Sequence, residues 1–345
     1  MLKLASNLSF TAQKLLALVL LTLVYRASAS PLFEEDAVLA INLTGPFSTL
    51  IEEKKNRAEL PFVLRADDVE HRIKVRVRGN SRTRVCDAPP ARLNFVKSKT
   101  KDTVFAGQDK LKLVTHCHDS DPAQANILQE YSVYKMFSII SDVGYKVRLV
   151  QISYSDTEKR LKRDSIVRYG FLIESASELA DRFDGKRVQV PSVSLGSLDK
   201  QQAAKVFVFN YMIGNTDWSL IAADGSDECC HNTHLIDIDS QRFMVPYDFD
   251  LSGLVNASYA RPDPSLDILR VTTRRYRGYC ISPEAIKDAV STISERKDDI
   301  LGVVRQVPGL VEKDIKTMEK YLGKFFDKAN NVDKLVKYFE RRCLG

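Results

Sequence analysis

The chain has 345 residues, of which 44% are hydrophobic and 28% charged, with a net charge of +6 at neutral pH. That length admits one large or two ordinary domains, and the composition is that of a soluble globular protein. The positive charge is spread along the chain with no block of like charges, which argues against a nucleic-acid arm.

Residues 1–29 read as a targeting segment. Lys3 and Lys14 precede an apolar run at residues 15–24, and Ala27-Ser28-Ala29 supplies a small-x-small cleavage site. Cleavage is expected after Ala29. The run is shorter than the roughly 20 residues a membrane span needs, and no later segment is apolar enough to cross a bilayer. The mature chain is therefore expected to be exported, periplasmic or secreted, with no membrane span.

Residues 31–66 carry a mixed signal: a short apolar run at 38–41 and a charged, helix-like patch at 52–59. Then Ile73, Val75 and Val77 alternate with Arg72, Lys74, Arg76 and Arg78, the period-2 pattern of a strand with one apolar and one basic face. Gly79-Asn80-Ser81 follows as a tight turn. Residues 92–96 and 110–114 read as further strands, the latter again with a basic face, Lys110 and Lys112. Basic faces on neighbouring strands suit a shared anion, with turn N–H groups able to cover phosphates. They equally suit a solvated face of an antiparallel sheet.

A helix is expected next, capped by Asp119 or Ser120 and with Pro122 in its first turn. Ile127, Tyr131 and Tyr134 share one face, with Glu130 beside it. Strands at 146–154 and 165–174 follow, joined by a charged hairpin loop. After Pro191 the character changes. Residues 198–212 read as a buried helix, and helices are expected at 283–304, 311–329 and 332–342, separated by Pro308-Gly309 and Asn330-Asn331. No internal repeat is visible.

Between the buried helix and the C-terminal helices lie three polar anchors with apolar flanks: Asp217, Asn232 and Asp248. Each alone reads as a turn residue. In this order they suit phosphoryl transfer, where one carboxylate orients a hydroxyl while an amide and a second carboxylate hold Mg²⁺ on phosphates.

An even count of six cysteines in an exported chain favours disulfides. Cys86 is expected to pair with Cys117. Cys229 and Cys230 are adjacent, and a vicinal bridge is strained, so each is expected to bond elsewhere among the four C-terminal cysteines. A rival reading is a zinc site drawn from His116, His118, Cys229, Cys230, His231 and His234, although their spacing departs from the usual zinc patterns.

The segments RGNS (78–81), KLKLV (110–114), a helix bearing Glu130, YGFLIE (169–174), GNTDW (214–218), HN (231–232) and PYDFD (246–250) together resemble the CotH-type spore-coat protein kinase family. GNTDW and PYDFD also resemble HipA-type and phosphoinositide-kinase-like members of the wider kinase fold. The resemblance runs from about Ile73 to Leu254 and is strongest over 207–250. It implies an α+β, two-lobed kinase-like fold, with a sheet-rich N-lobe at 30–175 and a helical C-lobe at 176–345.

The resemblance also implies ATP or another nucleotide, Mg²⁺ and a protein substrate. Asp217 would be the catalytic carboxylate. Asn232 and Asp248 would hold the metal, with Asp250 as a further ligand or a substitute for Asp248. Lys112, or Lys110 as its rival, would hold phosphates with Arg78, and Glu130 would be the helix partner of the lysine. Glu174 would lie near the nucleotide at the linker between lobes. The chain departs from the family in the long gap between Asp217 and Asn232, in Asp250 where the kinase motif has glycine, and in lacking a multi-glycine phosphate loop. These departures leave room for an inactive binding protein on the same scaffold; another transfer such as nucleotidylation, and the zinc reading, stand as further alternatives.

Overall fold

A computed structural model describes residues 30–161, 166–222 and 228–345. The targeting segment at 1–29 lies outside the described residues. After a single 3-10 turn at Pro31–Phe33, the first half runs β1 (Leu39–Gly45), α1 (Phe47–Glu52), β2 (Leu60–Ala66), β3 (Val69–Val77), α2 (Ser81–Val85), β4 (Ala91–Asn94), β5 (Lys110–Val114), α3 (Asp121–Ile140), β6 (Val147–Asp156) and β7 (Ile166–Ile173). The second half runs α4 (Ala176–Asp181), β8 (Lys186–Val188), α5 (Lys200–Ile213), β9 (Ser219–Ala222), β10 (Cys229–His231), β11 (Thr233–Ile238) and β12 (Gln241–Pro246). It ends in α6 (Pro283–Glu295), α7 (Lys297–Gln306), α8 (Glu312–Ala329) and α9 (Val332–Glu340).

The strands of the first half close into a barrel in the order β1-β2-β3-β4-β5-β7-β6, with β6 returning parallel to β1. The basic-faced antiparallel sheet expected from the sequence is thus a closed barrel, which leaves no free sheet edge. The period-2 pattern sets its inside: Ile41 and Leu43, Ile73 and Val75, Leu111 and Leu113 point inward and are buried. The basic residues face out, and the register lines up Arg76, Arg92 and Lys112 across β3, β4 and β5.

A second and larger apolar core holds α5, the C-terminal helices and the small sheet β12-β11-β8. It also takes in α3 and the outward residues Val147, Leu149, Phe171 and Ile173 of β6 and β7. So α3, assigned by its sequence position to the N-lobe, packs into the second core. It is buried nearly all round, because it is sandwiched between the barrel and the helices. Its N-cap is Ser120, whose hydroxyl accepts from the Ala123 N–H, with Pro122 in the first turn. The long helix expected at 283–304 is two helices, α6 and α7, meeting at Arg296. The helix-like patch at 52–59 contributes only the last residue of α1 before the chain turns into β2.

Three disulfides are present: Cys86–Cys117, Cys280–Cys343 and Cys229–Cys230. The first agrees with the sequence reading. The vicinal pair overturns it: Cys280 lies beside the C-terminal residues, its N–H bonding the Leu344 carbonyl, and pairs with Cys343. That leaves Cys229 and Cys230 only each other. All six thiols are consumed, and among the described residues no cluster of three or more His, Cys, Asp or Glu is placed to hold a metal ion. The zinc reading is therefore corrected: His116 lies just beyond β5 at the end of the barrel, and His234 stacks on Tyr247 in the second half. Among the described residues no helix is long and apolar enough to cross a membrane.

Candidate active site

The helix α5 delivers the first anchor. Asp199 caps its start by accepting from the Gln202 N–H, and Gly214 closes it in the left-handed conformation (φ +67°). A Cβ at Gly214 would collide with the Tyr321 hydroxyl, so glycine is required for space as well as for dihedral angle. The chain then folds back. Asn215 donates to the Asn210 side chain (3.1 Å) and accepts from the Asp217 N–H (3.0 Å), while Trp218 stacks on Phe207 (5.5 Å). These contacts leave the Asp217 carboxylate 34% exposed and facing outward.

Two neighbours hold that carboxylate. His231 Nε2 lies 2.9 Å from Oδ1, and Asn232 Nδ2 donates to Oδ2 at 2.8 Å and to the Asp217 carbonyl at 2.8 Å. The hydrogen bond to Asp217 raises the His231 pKa, against the opposing effect of burial. Asn232 has the left-handed φ of +49° that Asn tolerates, which turns its amide towards Asp217 between β10 and β11. His231 entered the sequence reading only through the HN pair and the zinc alternative. Its position next to Asn232 was the available signal.

Asp248 and Asp250 follow β12 and sit on either side of Phe249. That ring is fully buried against Tyr134 (4.8 Å) and Phe209 (6.0 Å) and pins the turn. The Asp248 N–H donates to the Tyr134 hydroxyl at 2.9 Å, and its φ is +61°. By surface area Asp248 is exposed, yet it lies deep in a walled cleft. The crowding of protein around it, and then the Asp250 carboxylate, raise its pKa, and Asp217 adds to the effect. The three carboxylates therefore share one field.

Arg78, Gly79, Lys112, Glu130, Asp248 and Asp250 line this one cleft. Lys112 Nζ lies 5.4 Å from the Tyr247 ring centroid and 6.0 Å from that of Tyr145, close enough for cation–π attraction. Burial, and next Arg78, lower its pKa to about 8, although Asp248 pulls the other way. Lys110 is exposed at the far end of β5, outside the cleft lining. Arg76 turns to Glu59 at 3.9 Å.

The expected pairing of Lys112 with Glu130 does not form. The residue that takes Glu130 is Arg82, in the helix α2 that follows the Gly79 turn. Its guanidinium reaches Glu130 at 2.5 Å and Asp250 at 2.8 Å, with all three side chains at least nine-tenths buried. Tyr259 also donates to Asp250, at 2.9 Å. Burial alone would lower the Arg82 pKa, but Asp250 and Glu130 outweigh it and hold the pKa raised. Burial in turn pushes Glu130 up against the pull of Arg82. Sequence reasoning missed Arg82 because it stands among Arg78, Arg82 and Arg84 with nothing local to single it out. The Cys86–Cys117 bridge ties the end of α2 to the chain just after β5 and helps fix the arginine in place.

Glu174 is buried and faces away from the cleft. Arg182 donates to it at 2.7 Å and the Lys146 N–H at 3.1 Å, so its carboxylate joins the end of β7 to the start of β6 and to α4. It is not among the residues lining the cleft.

No family model matches the sequence. A search of curated proteins finds no match. Among solved structures, one described as the crystal structure of a Helicobacter pylori proinflammatory kinase, CtkA, aligns with a TM-score of 0.36 at 10% identity. The alignment covers 81% of this chain and 92% of that one. At that score the likeness carries no argument about chemistry.

Proposed function

We propose that this chain is an exported, two-lobed kinase-like phosphotransferase that moves a phosphoryl group from a magnesium-bound nucleotide, ATP in the first instance, to a protein hydroxyl. The observation that carries the reading is the convergence on Asp248. Its exposed carboxylate lies in a cleft walled by Lys112 and Arg78, and it shares its field with Asp250 and Asp217. A cation would offset the like charges of Asp248 and Asp250, which Arg82 and Arg78 already offset in part. Asn232 and Asp248 would hold the magnesium. The Asn232 Nδ2 is bonded to Asp217, so its Oδ1 would be the atom offered to a cation.

In this reading Lys112 and Arg78 bind the phosphates from the barrel side. Asp217 accepts a hydrogen bond from the acceptor hydroxyl and takes its proton, while His231 and Asn232 hold the carboxylate in place. Bound magnesium would supply neutralisation of charge on the transferred group. The three disulfides support an oxidising compartment.

A second reading, a nucleotide-binding protein without transfer, is favoured by Arg82, which occupies both Glu130 and Asp250. Thermal melting with magnesium and ATP tests binding, since a ligand at 100 times its Kd stabilises by about 2.7 kcal/mol. Transfer of labelled γ-phosphate to a protein mixture then separates the readings. Transfer lost in Asp217→Ala, with the melting shift kept, supports the enzyme. A melting shift without transfer in the parent supports the binder, and no shift with any nucleotide or metal overturns both.

A further inference from the structure

The barrel is not filled by side chains along its whole length. At the end where β1 and β3 finish and β4 begins, a cavity of about 660 Å³ opens into it. Its walls are the inward residues Leu43, Val75 and Leu113, with Phe47 and Leu50 of α1. Ser48 Oγ donates to Asp156 at 2.6 Å and Thr49 Oγ1 to Glu158 at 2.7 Å, which fastens α1 over the opening. The volume lies within the range of small-molecule sites, and barrel mouths are among their usual places. No residue lining this cavity also lines the cleft around Asp248.

Two polar side chains in the wall lack partners. His116 Nδ1 and Tyr154 Oη are buried and make no hydrogen bond. The residues are 3% and 8% exposed, and their rings meet edge to face at 5.4 Å. Buried polar atoms are normally bonded, and leaving them bare is costly. Burial lowers the His116 pKa to about 4 and raises that of Tyr154, so both are neutral near pH 7. The charges at the rim are already paired, Asp87 with His118 at 2.8 Å and Asp119 with Arg168 at 2.7 Å. Among the described residues, a charged ligand would find no unpartnered counter-ion at the rim.

We propose that the barrel mouth is a second ligand site, independent of the cleft, for a small uncharged alcohol or phenol whose apolar body fills the barrel end and whose hydroxyl bonds His116 and Tyr154. The test uses the full chain, titrated calorimetrically with 4-butylphenol and, separately, with butylbenzene. The phenol should bind saturably at one site and raise the melting temperature, about fivefold tighter than the hydrocarbon, as one added hydrogen bond provides. Tyr154→Phe and His116→Phe should each reduce that preference towards parity while the hydrocarbon still binds. Ala91→Phe, which projects a ring into the cavity, should weaken binding of both probes with the melting temperature kept. Should that variant fold poorly, the phenol-to-hydrocarbon ratio in the other two still decides. Absence of saturable binding of either probe up to its solubility limit would overturn the proposal, as would an unchanged preference in both Tyr154→Phe and His116→Phe.

Discussion

Asp250 lines the cleft around Asp248, while Asp217 lies outside that lining and acts on Asp248 through its charge, and the surroundings of the two carboxylates differ in kind. Asp217 is one-third exposed and is held by an imidazole and an amide, with room left for an incoming group. Asp250 is 6% exposed and tied to a guanidinium that is itself buried and shared with Glu130. Desolvating such charges costs several kcal/mol per ion, which close pairing offsets only while every partner is present. A carboxylate one-third exposed is available for chemistry and contributes little to stability. The buried triad ties α2, α3 and the turn after β12 to one another, and its removal should be felt as loss of fold.

Changing Asp217 should have the largest effect. Asp217→Asn should lower phosphoryl transfer by about 10²- to 10⁴-fold, the usual contribution of a positioned acid–base group, with the melting temperature nearly unchanged. Initial rates and melting curves on one preparation check both halves. A variant that loses stability and keeps its rate would reverse the contrast between the two corners.

Arg82→Ala should do the opposite. It strands Glu130 and Asp250 as buried, uncompensated charges, so a loss of about 3–5 kcal/mol of folding stability is expected. Urea unfolding monitored by Trp218 fluorescence would measure it. A loss under about 1 kcal/mol would show that water reaches the triad and that the two corners differ less than their geometry indicates.

Lys112 sharpens the comparison from the barrel side. Its pKa in the folded protein is lowered to about 8, so the free ammonium is charged below that pH and is lost above it. If it binds phosphates, nucleotide affinity should fall by about tenfold between pH 7 and pH 9. Lys112→Arg, which stays charged throughout, should flatten that profile. An equally steep profile in the variant would move the titration to another group.

The smallest effect is expected far from both corners, at Asp156 beneath α1. Burial would raise its pKa, but hydrogen bonds from Ser48 and from the backbone N–H groups of Arg160, Ser48 and Glu158 prevail and lower it to about 2. A depressed carboxylate stabilises the fold above its unfolded value near 4, and that contribution is lost as the pH falls from about 4 to 2. Asp156→Asn should therefore cost about 1 kcal/mol at pH 7 and clearly less at pH 2. Parallel acid titrations of melting temperature would show whether the gap narrows in that window.

Much of the local structure was legible because it depends on neighbours in sequence. The alternation at Arg72 to Arg78 and at Lys110 to Leu113 encodes strands with one apolar face, since successive side chains point to opposite sides. Ser120-Asp121-Pro122 marks a helix start, and Gly214 with Asn215 marks a helix end. Asp217, Asn232, Asp248 and Asp250 stood out as polar residues at the ends of apolar runs, and of the four Asp248 and Asp250 line one cleft. What the sequence could not decide was who meets whom. Barrel closure depends on β1 pairing parallel to β6, more than a hundred residues away. Arg82, Glu130 and Asp250 are separated by 48 and 168 positions along the chain from the arginine outward. Among so many lysines and arginines, only the folded arrangement selects which cation reaches a buried carboxylate. Charge attraction has no sequence periodicity, and burial, which gives it its strength, exists only once the two cores have formed.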